Sequence, residues 1–192
     1  MESSKIRLCV FGTSILNEYI SQNHKKNKIE YMCIITHNDD RRDIKLLSKY
    51  RLFPLKKNIK CKVYYFSKYN EKEILKILKK ENINIGISIG CRFIFKKKII
   101  NYFKQNLFNI HDSFLPLYKG GAPISYSIMN REKFIGATFH KINNKIDDGE
   151  IIYQKKIKIK ESSKPVDAMK VYYNFLKKKI FKFIKSNKIL SK

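Results

Sequence analysis

An amide, an imidazole and a carboxylate stand at spacings that suit acyl transfer. Asn109 and His111 lie two residues apart in an apolar run, so in a strand their side chains share one face. Asp147 follows in an Asp147-Asp148-Gly149 turn. N–H groups of an amide and an imidazole can stabilise the oxyanion of a tetrahedral intermediate, and a carboxylate can accept the proton that an attacking amine loses. Direct attack by an amine needs no serine or cysteine nucleophile.

The chain directly after His111 is rich in residues that form turns, namely Pro116, Gly120, Gly121 and Pro123. Such a loop, placed after polar residues on an apolar strand, is typical of an active-site wall. Open α/β folds bind their ligands at the carboxyl ends of parallel strands, which is where this loop begins. Taken without their surroundings, an N-x-H pair is more often structural and D-D-G is usually only a turn.

Short apolar runs alternate with helical segments as far as residue 130. The predicted strands cover residues 6–11, 31–36, 63–66, 85–89, 107–111, 136–141 and 151–159. The predicted helices cover residues 15–22, 71–80, 97–103, 123–129 and 165–186. A loop is predicted over 37–40, and within 41–60 only Leu46, Leu47 and Tyr50 suggest a helical face. The alternation implies βαβ units, a mostly parallel sheet and an α/β fold.

The composition is that of a globular protein. The 192 residues suffice for one domain with a real core, and 43% of them are apolar. No apolar stretch approaches the roughly 18 residues that span a bilayer, and the N-terminus does not resemble a signal peptide, so we predict a cytoplasmic protein without a membrane segment. Four scattered cysteines, Cys9, Cys33, Cys61 and Cys91, predict reduced thiols and no metal site.

The formal net charge of +26 permits two interpretations. Only six of the 42 basic residues are arginine, and lysine occupies almost every polar position, as compositional drift would produce. The alternative is attraction to a polyanion or an anionic substrate. A nucleic-acid footprint would concentrate the basic residues in one stripe with aromatic residues among them.

A long spaced pattern surrounds the candidate residues: Asn109, His111, Ser113, Leu115, Pro116, Tyr118, Lys119 and Gly120, then Asp147 and Gly149. This segment resembles the formyltransferases that use 10-formyltetrahydrofolate, which include glycinamide ribonucleotide transformylase, methionyl-tRNA formyltransferase and the sugar N-formyltransferases. The resemblance implies that Asn109, His111 and Asp147 are catalytic and that Asp148 is a solvated turn residue. The pattern departs from many relatives at Asp112, where they have proline.

The resemblance covers residues 5–160 and implies a Rossmann-like formyltransferase fold with helices on both faces of the sheet. It implies a catalytic domain over residues 1–160 and a C-terminal helical extension over 161–192. The substrate-binding residues that it implies are Gly12, Thr13, Ser113, Tyr118, Lys119, Gly120 and Gly121.

A second segment, residues 89–100, resembles the folate pocket of the same family. The resemblance implies that backbone near Phe93 hydrogen-bonds the pterin and that apolar side chains line its slot, while the loop after His140 closes over it. The implied residues are Phe93, Ile94, Phe95, Ile100, His140, Ile142 and Asn143. The alternative is that these are core residues, with His140 a structural histidine at the end of a strand.

The resemblance leaves several acceptors open. A nucleotide-linked amino sugar is favoured, because the glycine-rich loop resembles that of the sugar enzymes and no tRNA-binding domain is recognised. Methionyl-tRNA is supported by the K-G-G-A-P-I segment and the positive charge. Glycinamide ribonucleotide fits the chain length, but F-G-T-S-I-L after the first strand offers few backbone donors for a phosphate. A non-catalytic basic protein that binds a polyanion is the remaining alternative. The oligomeric state is left open, with a homodimer as one option.

Overall fold

Seven strands form one sheet in the order β3-β2-β1-β4-β5-β6-β7 in the computed structural model, which describes residues 5–37, 49 and 56–186. The strands are β1 Ile6–Phe11, β2 Ile29–His37, β3 Lys62–Phe66, β4 Ile85–Ser88, β5 Leu107–His111, β6 Phe134–Lys141 and β7 Ile151–Lys158. The helices are α1 Ile15–Asn23, α2 Glu71–Lys80, α3 Lys97–Phe103, α4 Pro123–Met129 and α5 Pro165–Ile184. Short 3-10 turns lie at Lys25–Asn27 and Lys56–Asn58.

Strands β1 to β5 are parallel, and β6 and β7 are antiparallel. The predicted α/β fold is therefore confirmed. Strands β2 and β3 lie on one side of β1, whereas β4 lies on the other. The strand order thus reverses between β1 and β4, and the loops after such strands diverge to leave a crevice. His37 was predicted to begin a loop but is the last residue of β2; residues 38–40, Leu46, Leu47 and Tyr50 lie outside the described residues.

Burial along the strands explains their order. All four residues of β4, in the middle of the sheet, are buried, as expected for a parallel strand covered on both faces. Strand β7 at the edge alternates between exposed and half-buried residues. Its exposed residues include Lys155, Lys156 and Lys158, and charged side chains of this kind disfavour pairing with a further strand.

Two apolar cores lie on opposite faces of the sheet. On the α5 face, helices α1, α4 and α5 pack against alternate residues of the strands, among them Leu8, Phe108 and Phe139. On the α2 face, α2 and α3 pack against the intervening residues, such as Phe11 and Leu107. The predicted helices on both faces are thus present in the structure.

Local sequence explains where several helices begin. The Ser14 side chain accepts from the Leu16 N–H at the start of α1, and the Asn70 side chain accepts from Glu73 at the start of α2. Helices α4 and α5 each have proline in the first turn, where a missing N–H costs nothing.

Helix α5 completes the core of its face. Leu176 and Ile180 are fully buried, and the Phe183 ring lies 5.6 Å from Phe108 of β5 and 4.4 Å from Phe139 of β6. The predicted extension therefore packs into the same core as the strands, while the predicted boundary at residue 160 stays a prediction. Within the described part of the chain, no helix is both long and apolar enough to cross a bilayer.

Candidate active site

Three elements bring the candidate residues together at the carboxyl ends of the central strands. Asn109 and His111 lie on one face of β5. Antiparallel pairing with β6 places His140 opposite Asn109. The loop between β6 and β7 then returns Asp147 to the same place. The predicted grouping of Asn109, His111 and Asp147 thus exists in the structure, although their catalytic roles stay predictions.

Asp147 is the centre of this group. Its Oδ1 accepts from Asn109 Nδ2 at 3.2 Å, and its Oδ2 accepts from the Gly120 N–H at 2.8 Å. His111 Nδ1 lies 3.6 Å from Oδ2, and His140 Nε2 lies 3.6 Å from Oδ1. The carboxylate, only 11% exposed, therefore joins both histidines, the amide and the glycine loop.

Backbone carbonyls define the tautomers of the two histidines. His111 Nε2 lies 2.9 Å from the Tyr118 carbonyl, which can only accept, so Nε2 carries a proton and Nδ1 faces Asp147. His140 Nδ1 likewise donates to the Lys141 carbonyl at 2.8 Å. Its Nε2 therefore accepts from Asn109 Nδ2, at 3.2 Å. Because the Asn109 amide already contacts His140 and Asp147, donation to a substrate oxygen requires exchange of one of these contacts.

The surroundings of Asp147 favour its charged form. Burial by itself raises the pKa of a carboxyl group, but the contacts with His140, the Gly120 N–H and His111 outweigh it, so the pKa of Asp147 is lowered. Asp147 is consequently a carboxylate at neutral pH and can stabilise a positive charge on either histidine.

Gly149 is required by the turn that carries Asp147. A Cβ at this position would lie 1.7 Å from the Lys141 carbonyl oxygen, a distance that no side chain can occupy. Asp147 itself has a φ of 47°, in the left-handed region that aspartate tolerates better than most residues. Asp148, the next residue, is 39% exposed and forms an ion pair with Lys119. The D-D-G sequence thus turns one carboxylate inward and the other outward.

A cavity of about 680 Å³ opens around these residues, a size typical of sites for small molecules. Most of the predicted site residues line it. Those that line it are Thr13, Phe93, Ile94, Phe95, Asn109, His111, Gly120, Gly121, His140, Ile142, Asn143 and Asp147.

One wall of the cavity fits the folate donor that the resemblance implies. Phe93, Phe95 and Ile142 pack against the core of the α2 face and present apolar surface. Residues 91–96 form neither helix nor strand, so no sheet ladder uses their backbone groups. A flat heterocycle with polar edges matches such a wall, because its faces need apolar contact and its edges need hydrogen bonds.

Two predicted residues lie outside the cavity because they are packed in the protein. Gly12 allows the loops after β1 and β4 to touch, since a Cβ there would lie 2.5 Å from the Ile89 carbonyl oxygen. Its N–H donates to the Ile35 carbonyl at 2.9 Å. Ile100 packs against the core of the α2 face.

Three more predicted residues contact the site without lining the cavity. Ser113 is fully buried, and its hydroxyl donates to the Leu117 carbonyl at 2.5 Å. Tyr118 contributes its backbone carbonyl, which orients His111. Lys119 pairs with Asp148 rather than lining the cavity. None of the three side chains is among those that line the cavity in the described structure.

Other lining residues were not predicted. They include Asp112, Ile124, Met169 and Tyr173, of which the last three pack with the core of the α5 face, whereas Phe93 packs with the core of the α2 face. Asp112 carried a signal, since it stands in the motif where many relatives have proline. For Met169 and Tyr173, the sequence offers only the amphipathic pattern of α5. That pattern predicts which side chains are buried but not which part of the protein they contact.

The chain matches the formyl transferase family over residues 4–182. The bifunctional polymyxin resistance protein ArnA of Wigglesworthia glossinidia brevipalpis is 35% identical over 132 residues, which are 68% of this chain and 20% of ArnA. A methionyl-tRNA formyltransferase of Pelagibacter ubique is 38% identical over 105 residues, which are 55% of this chain and 34% of that protein. The chain thus spans about a fifth to a third of the length of these two relatives.

Solved structures share the fold. A phosphoribosylglycinamide formyltransferase from Anaplasma phagocytophilum superposes with a TM-score of 0.77 at 18% identity, covering 95% of this chain and 86% of that one. A sugar N-formyltransferase from Shewanella sp. superposes with a TM-score of 0.66 at 20% identity, covering 95% and 71%. At these identities the likeness is one of fold. The family match, however, extends over nearly the whole chain, and this protein therefore belongs to the formyl transferase family.

Proposed function

We propose that this protein transfers a formyl group from 10-formyltetrahydrofolate to a primary amine. The observation that carries the proposal is the contact of Asn109, His111 and Asp147 in a cavity of about 680 Å³, in a chain that belongs to the formyl transferase family. A carboxylate, an imidazole and an amide within hydrogen-bonding reach are the groups that acyl transfer to an amine requires.

The donor supplies an electrophilic formyl carbon, and the residues of this chain manage charge and protons around it. Asn109 and His111 donate to the formyl oxygen as negative charge develops there. His111 does so from Nδ1 once it is protonated, and Asp147, 3.6 Å away, stabilises that imidazolium. Asp147 also accepts the proton that the amine loses on attack, and that proton finally passes to the departing nitrogen of the folate.

The acceptor that we propose is the amino group of a nucleotide-linked amino sugar. The cavity has the size for a small molecule, and a sugar N-formyltransferase shares the fold over 95% of this chain. Methionyl-tRNA is the second candidate, favoured by the 38% identity to a methionyl-tRNA formyltransferase.

Glycinamide ribonucleotide is less favoured, because the loop after β1 is not free to hold its phosphate. The Gly12 N–H donates to Ile35 at 2.9 Å and the Thr13 N–H to Gly90 at 3.3 Å, while the Thr13 hydroxyl bonds Thr36 at 2.7 Å. A phosphate would have to displace these bonds before the loop could bind it.

The test is release of tetrahydrofolate by purified protein with 10-formyltetrahydrofolate and each acceptor in turn. Release that depends on a nucleotide-linked 4-amino-4,6-dideoxyhexose supports both the reaction and the acceptor. Release only with methionyl-tRNA or glycinamide ribonucleotide keeps the reaction and replaces the acceptor. Absence of release with all three, together with no binding of folate, would favour a non-catalytic protein.

A further inference from the structure

The cavity has two walls that belong to opposite faces of the sheet. Phe93 and Ile142 pack against the core of the α2 face, whereas Met169 and Tyr173 of α5 pack against the core of the α5 face. The carboxyl end of the sheet, where β5 ends at His111, lies between the two walls. If the folate donor occupies the Phe93 wall, as the resemblance to the formyltransferases implies, the attacking amine must approach along the wall formed by α5.

Asp112 is the carboxyl group of this second wall. Side chains alternate along β5, with Leu107 in the core of the α2 face and with Phe108 and Ile110 in the core of the α5 face. Asp112 directly follows the last residue of β5 and lines the cavity. It is also close enough to Tyr172 of α5 to raise the pKa of that phenol, second to the effect of burial.

The residues of the α5 face that line this cavity are mostly apolar. They include Ile124, Met169 and Tyr173, which pack with the core of that face. Three titratable groups act on the carboxyl or respond to it: His111, Asp147 and Tyr172. A carboxyl group in this position has a strong need for a cationic or hydrogen-bonding partner, because apolar side chains solvate its charge poorly.

The two carboxyl groups of the cavity have pKa values shifted in opposite directions. Burial raises the pKa of Asp112. His111 and a hydrogen bond from the backbone of Asp112 itself oppose the rise, and nearby Asp147 adds to it. The pKa of Asp147 is lowered. Opposite shifts in one site are the usual sign of separate acid and base roles, because the group with the higher pKa is the better proton acceptor.

We propose that Asp112 docks the amino group of the acceptor as an ammonium ion on the α5 wall and removes one proton before attack. This inference rests on the proposed function. The ammonium gives one proton to the Asp112 carboxylate and becomes an amine, whose lone pair forms the new C–N bond. The bond from the formyl carbon to the folate nitrogen breaks, and that nitrogen takes the second proton by way of Asp147. The proton on Asp112 passes to solvent.

The apolar side chains beside Asp112 define the class of acceptor. Ile124, Met169 and Tyr173 offer contact to an apolar group next to the amine, such as the methyl group of a 6-deoxy sugar. A hydroxylated group at the same position of the acceptor would lose hydrogen bonds to water on contact with these apolar side chains.

The experiment compares steady-state constants of the wild type, Asp112→Asn, Asp112→Glu and Glu161→Gln with whichever of the three acceptors the wild type uses. Asp112→Asn keeps the shape and removes the charge, so we expect the KM for the acceptor to rise at least about tenfold. The dissociation constant for folate should stay within about twofold. Asp112→Glu should recover part of the loss. Glu161→Gln removes an exposed carboxylate away from the cavity and should leave all constants unchanged.

A second measurement needs only the wild type. Affinity is compared between the acceptor and its analogue with hydroxyl in place of the amine, and we expect at least about tenfold preference for the amine. Equal affinities, or an unchanged acceptor KM in Asp112→Asn, would overturn the role of Asp112 and leave the proposed function standing. A wild type that uses none of the three acceptors and binds no folate would remove both.

Discussion

At the scale of residues, the site depends on how one carboxylate is surrounded. Asp147 contacts Asn109, His111, His140 and the Gly120 N–H. Burial raises its pKa, but the contacts with His140, the Gly120 N–H and His111 outweigh burial and favour its charged form. The same contacts hold the other side chains, because a buried carboxylate needs its partners. Removing any one member therefore disturbs the rest, and effects of double substitutions should not be additive.

His111→Ala and Asp147→Asn should each reduce kcat by at least about 10²-fold, since each removes a group to which we assign a role in stabilising charge or transferring a proton. Release of tetrahydrofolate measures the effect, and thermal unfolding verifies that the variants are folded. Glu161→Gln serves as the control. Turnover near that of the wild type in either variant would show that the assigned role is wrong.

At the scale of elements, α5 matters for both stability and the site. Its middle and end fill the core of the α5 face, while Met169 and Tyr173 near its beginning line the cavity. A shift of this helix would therefore change the wall of the cavity that Met169 and Tyr173 form. Helix α5 follows the edge strand β7 in sequence but packs against β5 and β6, so it ties the antiparallel edge to the parallel centre.

Leu176→Ala should lower the free energy of unfolding by about 2–5 kcal/mol, because Leu176 is fully buried and its loss leaves a cavity. Val171, on the same helix, is 41% exposed, so Val171→Ala should cost less than about 1 kcal/mol. Urea denaturation of the two variants gives both values. Similar losses in the two would contradict the orientation of α5 described above.

A second link between elements lies at Glu81, where α2 ends. The phenols of Tyr31 and Tyr64, together with Lys62, lower the pKa of Glu81 to about 2 although burial opposes the shift. A carboxyl group with a lowered pKa in the folded state stabilises the protein above its unfolded pKa, and the effect is lost as the pH falls towards the folded pKa.

Glu81→Gln should therefore destabilise the protein at pH 7, and the difference from the wild type should shrink as the pH falls from about 4.5 to about 2. Chemical denaturation across this pH range measures it. A difference that is constant with pH would mean that the charge of Glu81 does not contribute.

At the scale of the whole molecule, the positive charge is spread over several surfaces. Exposed lysines occur on α2 over one face of the sheet, on α5 over the other face, and on the edge strand β7. In the described part of the chain, the exposed lysines are thus spread over several surfaces and do not form a single stripe. It supports compositional drift over a dedicated surface for nucleic acid.

Any binding of nucleic acid should accordingly depend steeply on salt. We expect an electrophoretic shift with duplex DNA at low salt to disappear at about 0.15 M, because nonspecific contacts with phosphates release counterions. An electrophoretic shift that persists at this salt concentration, for DNA or for a tRNA without an attached amino acid, would instead indicate a specific polyanion site.

The sequence by itself determined the fold class and the order of the elements, and its resemblance to the formyltransferases indicated which three residues to expect in the site. Apolar runs and helical periodicity depend on local residues, so the predicted strands and helices agree closely with the structure. Asn109 and His111 share a face because side chains alternate along a strand. Gly149 allows its turn to pass close to a backbone carbonyl. These properties follow from neighbours in sequence.

Only the tertiary structure decided which distant groups touch. The register of β6 placed His140 against Asn109, the crossing of loops occupied the N–H groups of Gly12 and Thr13, and α5 supplied the wall around Asp112. The predicted residues Gly12 and Ile100 proved to be packed and not to line the cavity. A helical pattern shows which face is buried, but the partner depends on packing among all the elements, which no local segment of sequence contains.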